Sequence, residues 1–386
     1  MSRYFSYINS SKRILDTYDG MQPFPFHLKK QFAANKNFGS KDRRTISEIC
    51  YAWLRTSHLF QQQLLEENLV KAFFLCAEVA QALLEVLDPV LNEKAGLPVR
   101  EKLSILGLPA ENIFPFTQEI GVADAIQFNE SFLRQPLLFL RLRPGKEQLV
   151  LSKLQQAAIS FIELDHGCIG LPNGSKLDEV ISLNKEAVVQ DKNSQRVFDF
   201  LASDAFTEKI SVWDCCAASG GKSILLFDKG KGKIKLTVSD IRKTILHNCQ
   251  VRLQEAGINI NHAFVGDITK DISQSLNDHF DLIICDAPCT GSGTWSRTPE
   301  QLAYFKKESI GEFSLLQKRI AGNALQYLKI DGLFFYITCS VFRKENEEVV
   351  AALLEDKSLQ LLHSTYLPGY NERADSMFVA VIKKLG

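Results

Sequence analysis

The feature that most constrains the fold is a regular alternation of strand-like and helix-like segments that begins near residue 195. Short apolar runs rich in β-branched and aromatic residues are separated by longer segments with apolar residues at helical spacing. This alternation predicts an α/β domain, with a doubly wound sheet covered by helices on both faces. The predicted strands are ISVWD, KIKLTVSD, NHAFVGD, FDLIICD, GLFFYITC, LQLLHSTY and MFVAVIKK.

The residues before this region have a different pattern. Residues 1–120 place apolar residues at helical spacing with few glycines or prolines, whereas residues 130–190 combine strand-like LLFLRLR with helix-like KEQLVLSKLQQAA. We therefore expect a helical domain at 1–125, a small α+β subdomain at 126–190 and the α/β domain at 191–386.

The charges of the chain are balanced overall but segregated along it. Lys+Arg and Asp+Glu both number 45. Residues 1–60 carry ten basic and four acidic residues, residues 61–130 carry four and eleven, and residues 131–160 carry five and one. The basic stretches could face a polyanion such as a nucleic acid, or could simply be solvated surface.

Neither a membrane segment nor a metal site is predicted. No stretch approaches the roughly 18 apolar residues that span a bilayer, and the N-terminus lacks the apolar core of a signal peptide. None of the nine cysteines forms a CxxC pair, and the histidines show no metal-ligand spacing. The sequence predicts a cytoplasmic protein with reduced thiols.

A glycine-rich turn, CCAASGGKS at residues 215–223, follows the first strand of the α/β region. Such a turn lets the backbone approach a ligand closely. It is not a GxGxxG motif, and it lacks the first glycine of the GxxxxGK[ST] phosphate loop. Because Lys222 and Ser223 imitate the end of that loop, a nucleotide hydrolase remains an alternative.

Aspartates stand at the ends of the first three strands. Asp240 is placed to accept hydrogen bonds from ribose hydroxyls, and Asp267 to hold the exocyclic amine of an adenine. Each acid could instead be a helix cap. Together with the glycine turn, the three acids predict a cofactor that contains a nucleoside.

Two cysteines stand at the ends of the next two strands. Cys289 follows the fourth strand in Asp286-Ala-Pro-Cys, and Cys339 follows the fifth in Thr-Cys-Ser. Adjacent strands lie about 4.8 Å apart, so both thiols could lie close together at the same edge of the sheet. A cysteine at a strand end is more often a small buried apolar residue, and that alternative remains open.

The pair has a specific chemical use. Carbon 5 of cytosine is a poor nucleophile until a thiolate adds to carbon 6 and forms an enamine. The carbon-5 proton must then leave before the thiolate can be eliminated. This reaction needs a nucleophile, a group that assists elimination and an acid that holds the ring, and two cysteines with Asp286 supply these roles.

The chain from about Val188 onward resembles the NOL1/NOP2/Sun family of S-adenosylmethionine-dependent RNA cytosine-5 methyltransferases. The nearest resemblance is to the bacterial ribosomal-RNA branch, which has an N-terminal NusB-like domain and, like the family, a Rossmann-like catalytic domain. DRRTISEICYAWLR resembles a helix of the NusB-like domain. The matching catalytic motifs are VVQDKNSQ, DCCAASGGKS, SDIR, GDIT, DAPCTGSGT, RTPEQL, YITCS, KENEEVV and DSMFVAVIKK.

The resemblance implies a role for each candidate residue. Cys339 would be the nucleophile, Cys289 would assist release of the methylated base, and Asp286 would grip the cytosine. DNA cytosine methyltransferases use the Pro-Cys thiol as the nucleophile, so Cys289 remains an alternative attacking group. The cofactor, S-adenosyl-L-methionine, would contact Cys216, Ala217, Ala218, Ser219, Gly220, Gly221, Lys222, Asp240, Asp267 and Asp286.

The resemblance also implies an RNA partner, which is ribosomal RNA in the nearest branch, and a protein that acts as a monomer. A transfer-RNA methyltransferase and a non-catalytic RNA-binding ribosome-assembly factor are the alternatives. The chain departs from the family at Ser219, where proline is usual, and at Ile245, where arginine is usual. Thr290 replaces a commoner serine. We expect the first departure to loosen the glycine turn.

Overall fold

The computed structural model describes residues 3–202 and 205–386, so residues 1, 2, 203 and 204 of the predicted domains lie outside it. The chain divides into two compact units. The helical unit runs through Gln135 and also contains Thr294–Lys307, and the sheet unit contains Pro136–Gly293 and Glu308–Gly386. The three-domain division expected from the sequence stays a prediction.

The helices and strands account for most of both units. The helices are α1 (Arg3–Asp16), α2 (Phe24–Ala34), α3 (Ser40–Thr56), α4 (Glu66–Cys76), α5 (Ala82–Leu87), α6 (Pro89–Glu93), α7 (Val99–Leu106), α8 (Ala125–Ser131), α9 (Glu147–Gln156), α10 (Gly221–Lys229), α11 (Lys243–Glu255), α12 (Pro299–Ala303), α13 (Ser309–Leu325) and α14 (Glu347–Leu353). The strands are β1 (Leu138–Leu142), β2 (Ile162–Glu163), β3 (Cys168–Leu171), β4 (Ala187–Val189), β5 (Ile210–Asp214), β6 (Ile234–Asp240), β7 (Ile260–Val265), β8 (Phe280–Asp286), β9 (Leu328–Thr338), β10 (Leu359–Leu367) and β11 (Met377–Lys384).

The helical unit is built around α3, which packs against α1, α4 and α12. Residues of α3 at helical spacing, including Ile46, Ile49 and Trp53, are buried. Arg55, at the end of α3, is also buried and donates hydrogen bonds to the carbonyl oxygens of Phe132 (2.8 Å) and Ser296 (2.6 Å). These bonds attach the 294–307 segment to the helices of its unit.

The large sheet of the sheet unit has the strand order β10-β11-β9-β8-β5-β6-β7. Strands β5 to β9 are parallel, and β11 pairs antiparallel with both β9 and β10. The prediction of an α/β fold with these seven strands is confirmed. The central strands β5, β8 and β9 are buried on both faces, as expected for a parallel sheet covered by helices.

A smaller antiparallel sheet in the same unit has the order β2-β3-β1-β4 and packs against α9. Two ion pairs attach it to α10, a helix that packs on the large sheet. Arg141 and Arg143, on and just after β1, form ion pairs with Asp228 of α10, with nitrogen–oxygen distances of 2.5 and 2.6 Å. The small sheet is thereby held beside the helix that follows the glycine-rich turn.

No helix in the described ranges 3–202 and 205–386 is both long and apolar enough to cross a membrane.

Gly293 packs where a side chain cannot fit, at the site where the chain leaves the sheet unit. Its N–H donates to the carbonyl oxygen of Cys339, and its own carbonyl oxygen accepts from Ser376 N–H, both at 2.9 Å. A Cβ atom at this position would lie 2.0 Å from the Ser376 oxygen and 2.9 Å from the Cys339 oxygen. The loop after β8 is therefore held tightly against the ends of β9 and β11.

We expect Gly293→Ala to lower the free energy of unfolding by about 1–3 kcal/mol or more, because the backbone must move to admit the methyl group. Gly322→Ala is the matched control, since no atom lies within 4 Å of its added Cβ and it stands within α13. Alanine should stabilise that helix by about 0.5–1 kcal/mol. Urea unfolding measures both changes, and equal effects would contradict the packing argument.

Candidate active site

The two predicted thiols meet at the carboxyl edge of the large sheet. In the β8–β9 register, Asp286 lies opposite Ile337, so Cys289 and Cys339 follow at nearly the same level. Their Sγ atoms are 3.3 Å apart, and both side chains are partly exposed. The sheet therefore brings together two cysteines that are fifty residues apart in the sequence.

Asp286 and Lys222 form an ion pair beside the thiols. The Lys222 Nζ atom lies 2.5 Å from Asp286 Oδ2, and the lysine side chain is largely buried while the aspartate is partly exposed. Burial alone would lower the pKa of Lys222, but the Asp286 carboxylate outweighs it and raises the pKa. Lys222 is therefore held as an ammonium group that faces the predicted cytosine-binding acid.

The glycine-rich turn runs from the end of β5 into the first turn of α10. Ala218 and Gly220 adopt positive φ angles of 45° and 78°. A Cβ atom on Gly220 would lie 2.9 Å from the Cys249 sulfur atom, so the turn packs directly on α11. Only a residue without a side chain fits there with this backbone conformation.

Asp240 fastens the turn to the end of β6. One of its carboxylate oxygens accepts a hydrogen bond from Ala218 N–H at 3.1 Å, and Arg242 Nε donates to the other at 3.0 Å. Burial would raise the pKa of Asp240, but the bonds from Arg242 lower it. Arg242 is thus the basic partner of this acid in a chain that has Ile245 where the family usually has arginine.

Ser219 is held by an arginine that sequence reasoning did not single out. Arg252, on α11, donates to the Ser219 hydroxyl (2.8 Å) and carbonyl oxygen (3.2 Å). The same guanidinium donates to the carbonyl oxygen of Val189 and the side-chain oxygen of Asn184. These contacts fix the turn at the position where the family usually has proline.

The third strand-end acid, Asp267, lies two residues after β7. Its Oδ1 atom accepts from Thr269 N–H (3.1 Å) and from the Thr269 hydroxyl (2.6 Å), and these bonds lower its pKa. The preceding residue, Gly266, donates to the carbonyl oxygen of Asp240 at 3.3 Å. Asp267 therefore lies next to the Asp240 segment and forms a local turn while remaining partly exposed.

No individual role was predicted from the sequence for Asp214, Arg242, Arg252, Glu345 or Asn346. Asp214 is the acid at the end of β5 and was visible as one of the three strand-end aspartates. Glu345 and Asn346 lie in the KENEEVV motif, and both are fully buried. Within the described residues, no cluster of three or more His, Cys, Asp or Glu side chains could hold a metal ion.

Residues 204–380 match the family model described as 16S rRNA methyltransferase RsmB/F. This region of the chain is similar to the RsmB/F family. The matched range contains the glycine turn, the strand-end acids and both thiols of the site described above. The resemblance stated from the motifs alone is confirmed.

Curated relatives extend this match along the chain. The probable ribosomal RNA small subunit methyltransferase B of Bacillus subtilis is 30% identical over 208 residues, which cover 53% of this chain and 46% of the relative. Methyltransferase B of Proteus mirabilis is 29% identical over 65% of this chain and 60% of the relative. These alignments span only about half the length of each relative. A longer alignment, to methyltransferase B of Yersinia enterocolitica, covers 84% of both chains at 23% identity.

Solved structures share the fold. The protein PH0851 superposes with a TM-score of 0.72 at 17% identity, over 99% of this chain and 98% of that chain. A methyltransferase homolog protein from Pyrococcus horikoshii superposes with a TM-score of 0.58 at 22% identity, over 74% and 98%. NSun6 from the same organism, solved with SFG, gives 0.58 at 14%, over 67% and 94%. At these identities the likeness establishes the fold alone.

Asp214 gives the site a testable dependence on pH. It is 1% exposed, and Ser223 donates to its Oδ2 atom at 2.6 Å, while Oδ1 has no hydrogen-bond partner in the described structure. Burial raises its pKa to about 7, against roughly 4 in an unfolded chain. Between these values only the folded protein keeps the proton, so the free energy of unfolding falls as the pH rises.

We expect Asp214→Asn to remove this loss, so that the stability of the variant relative to the parent increases from about pH 4 to pH 7. Asp281→Asn is the control. Burial would raise the pKa of Asp281, but hydrogen bonds from Ser211 and Lys329 lower it. The change in unfolding free energy caused by Asp281→Asn should therefore vary with pH only below about pH 4. Urea unfolding at several pH values measures both differences. A pH-independent difference for Asp214→Asn would contradict the assignment.

Proposed function

We propose that the protein transfers a methyl group from S-adenosylmethionine to carbon 5 of a cytosine in small-subunit ribosomal RNA. The observation that carries this proposal is the 3.3 Å approach of Cys289 and Cys339 beside Asp286, inside the region that matches the RsmB/F family. The names of the relatives, methyltransferases B and F of the small ribosomal subunit, favour ribosomal RNA over transfer RNA. They also favour an enzyme over a non-catalytic assembly factor.

The turn between β5 and α10 fits the proposed cofactor. The first backbone N–H groups of a helix lack partners within it and favour an anion, so the start of α10 suits the methionine carboxylate. Asp240 and Asp267, at successive strand ends, would hold the ribose and the adenine. The other contacts proposed are Cys216, Ala217, Ala218, Ser219, Gly220, Gly221, Lys222 and Asp286. When bound, S-adenosylmethionine supplies an electrophilic methyl group.

Cys339 is proposed as the nucleophile that adds to carbon 6 of the cytosine. The hydrogen bond with Cys339 raises the pKa of the Cys289 thiol, and burial and the Glu345 carboxylate raise it further. The assignment of Cys339 to this step rests on the motif resemblance, in which the cysteine of Thr338-Cys339-Ser340 attacks the ring. Cys289 would instead assist loss of the carbon-5 proton and elimination of Cys339 after methyl transfer.

Asp286 is proposed to hold N3 and the exocyclic amine of the ring during the attack. Its contact with the buried Lys222 ammonium at 2.5 Å restricts the orientation of the carboxyl group. The target cytosine must be unstacked, or already single-stranded, to reach these groups.

The helical unit is proposed to bind RNA as a NusB-like domain. Four exposed lysines, Lys29, Lys30, Lys36 and Lys41, lie on or near α2 and the start of α3. None of them forms an ion pair in the described structure. Exposed, unpaired cations are suited to phosphate contacts. The proposed substrate would be met in the cytoplasm, where we propose that the protein acts as a monomer.

Separate alanine substitutions distinguish the roles of the two thiols. Cys339→Ala should abolish both methylation and any covalent RNA adduct, because no thiol can add to carbon 6. Cys289→Ala should form the adduct in the presence of S-adenosylmethionine but release it slowly. The trapped protein–RNA species would survive denaturing gel electrophoresis. Cys50→Ala, a buried cysteine of the helical unit, is the control and should methylate RNA without trapping.

Trapping by Cys339→Ala instead would reverse the two assignments. Normal methylation by both variants would leave the cysteines with a packing role and contradict the proposed mechanism. Turnover of ATP by the parent protein would favour the phosphate-loop alternative for the glycine turn.

Charge reversal tests the proposed RNA surface on the full chain. Lys29→Glu combined with Lys30→Glu should weaken RNA binding and reduce the slope of log affinity against log salt by about one to two units, since each lost phosphate contact removes about one. Lys231→Glu with Lys357→Glu, on exposed positions of the sheet unit, is the matched control. Filter binding across a salt series gives both slopes. Equal slopes for the two double variants would assign the helical unit another task.

A further inference from the structure

A fully buried carboxylate connects the two loops that carry the thiols. Glu345 is 0% exposed and ends a short 3-10 helix in the segment that follows β9. It accepts hydrogen bonds from Thr290 N–H (2.9 Å), from the Thr290 hydroxyl (2.6 Å) and from the Ser340 hydroxyl (2.7 Å). Gln317 of α13 donates a further bond at 2.9 Å. Each of the two carboxylate oxygens thus accepts two hydrogen bonds.

Two of the three partners of Glu345 are the residues that directly follow the thiols. Thr290 follows Cys289, and Ser340 follows Cys339. The regular β8–β9 pairing has already ended before this point, with Asp286 opposite Ile337. Glu345 therefore connects the two loops beyond the point at which the regular β8–β9 pairing ends.

The next residue holds Cys339 from both sides. Thr338 donates its hydroxyl to the Asn346 side-chain oxygen at 2.6 Å, and the Asn346 amide donates to the Ser340 carbonyl oxygen at 2.8 Å. Asn346 is also fully buried. The chain on each side of the thiol is thus attached to a single amide side chain.

We propose that Glu345 is a positioning residue that holds Cys289 and Cys339 side by side, acting through Thr290 and Ser340. The effect of this positioning on catalysis rests on the proposed function, whereas its effect on the proximity of the two thiols does not. Burying a carboxylate costs several kcal/mol, and an apolar side chain of similar size would fill the same space without that cost. What an apolar side chain could not do is bond to both thiol loops at once.

The hydrogen-bond pattern makes glutamine the discriminating substitution. In Glu345→Gln the amide oxygen can still accept from Thr290 N–H and from Gln317. The amide nitrogen can donate to the Thr290 and Ser340 hydroxyls, which can act as acceptors after rotation. Glutamine therefore removes the charge while keeping the connection between the loops. Glu345→Ala removes both and leaves buried donors without acceptors.

The experiment measures the proximity of the thiols directly, in the full chain without RNA or cofactor. Diamide oxidises two neighbouring thiols to a disulfide and is itself reduced to a hydrazine. Mass spectrometry of proteolytic fragments then gives the rate at which the Cys289–Cys339 disulfide forms. We expect Glu345→Ala to slow this rate by on the order of tenfold or more, since a displacement of about 1 Å disrupts such reactions strongly. Glu345→Gln should react nearly as fast as the parent.

Asp281→Ala is the matched control. Asp281 also connects adjacent strands, through Ser211 N–H and the Ser211 hydroxyl, both at 2.7 Å, but at the opposite end of β8. It should lower stability without changing the rate of disulfide formation. If Glu345→Ala fails to fold, Ser340→Ala removes one contact to Glu345 and should also slow the reaction.

A parental rate in Glu345→Ala would overturn the proposal, as would a parental rate in Ser340→Ala if Glu345→Ala cannot fold. Glu345→Gln reacting as slowly as Glu345→Ala would also overturn it, because the charge and not the connection would then matter.

Methylation supplies a second readout. Glu345→Ala should lower kcat by about tenfold or more while calorimetry finds unchanged affinity for S-adenosylmethionine, and Glu345→Gln should recover kcat. A parental kcat in Glu345→Ala would contradict the catalytic consequence. If the parent protein itself fails to methylate any RNA, the proposed function fails. The disulfide rates would still decide the positioning role of Glu345.

Discussion

The site depends on the parallel pairing of β8 with β9. These strands have an ordinary apolar composition, yet their register places Asp286 level with Ile337 and thereby aligns the two loops that follow. A shift of one residue would turn every side chain of a strand to the other face. The thiol pair at 3.3 Å is thus a consequence of how a buried core fixes the register of its central strands.

Four ionisable groups are buried or largely buried at this same edge of the sheet. Asp214, Lys222, Asp240 and Glu345 are all wholly or largely withdrawn from water, and each is hydrogen-bonded to a neighbouring loop or strand end. Ionised groups in such surroundings are costly unless they are paired. Their partners here are the glycine turn, the acid beside the thiols and the residues after each thiol. Part of the electrostatic cost of burying charge in this protein therefore supports contacts that shape the site.

Sequence patterns predicted the elements whose causes are local or topological. The seven strands of the large sheet follow from apolar runs, and the meeting of Cys289 with Cys339 follows from parallel strands sharing an edge. Strand β4 could not be predicted, because three residues carry too little pattern. Nor could the role of Glu345, whose partners lie 55 and 5 residues away, or the burial of Trp295 in the helical unit. Those outcomes depend on packing between distant segments.

The central claim is that the paired thiols serve the methylation of cytosine in ribosomal RNA. Bisulfite sequencing of ribosomal and transfer RNA, from cells that carry or lack the gene for this protein, tests it most directly. We predict that 5-methylcytosine disappears from small-subunit ribosomal RNA in the deleted strain. It should return with the parental gene but not with the Cys339→Ala variant. An unchanged methylation pattern in every RNA, or full restoration by Cys339→Ala, would contradict the account.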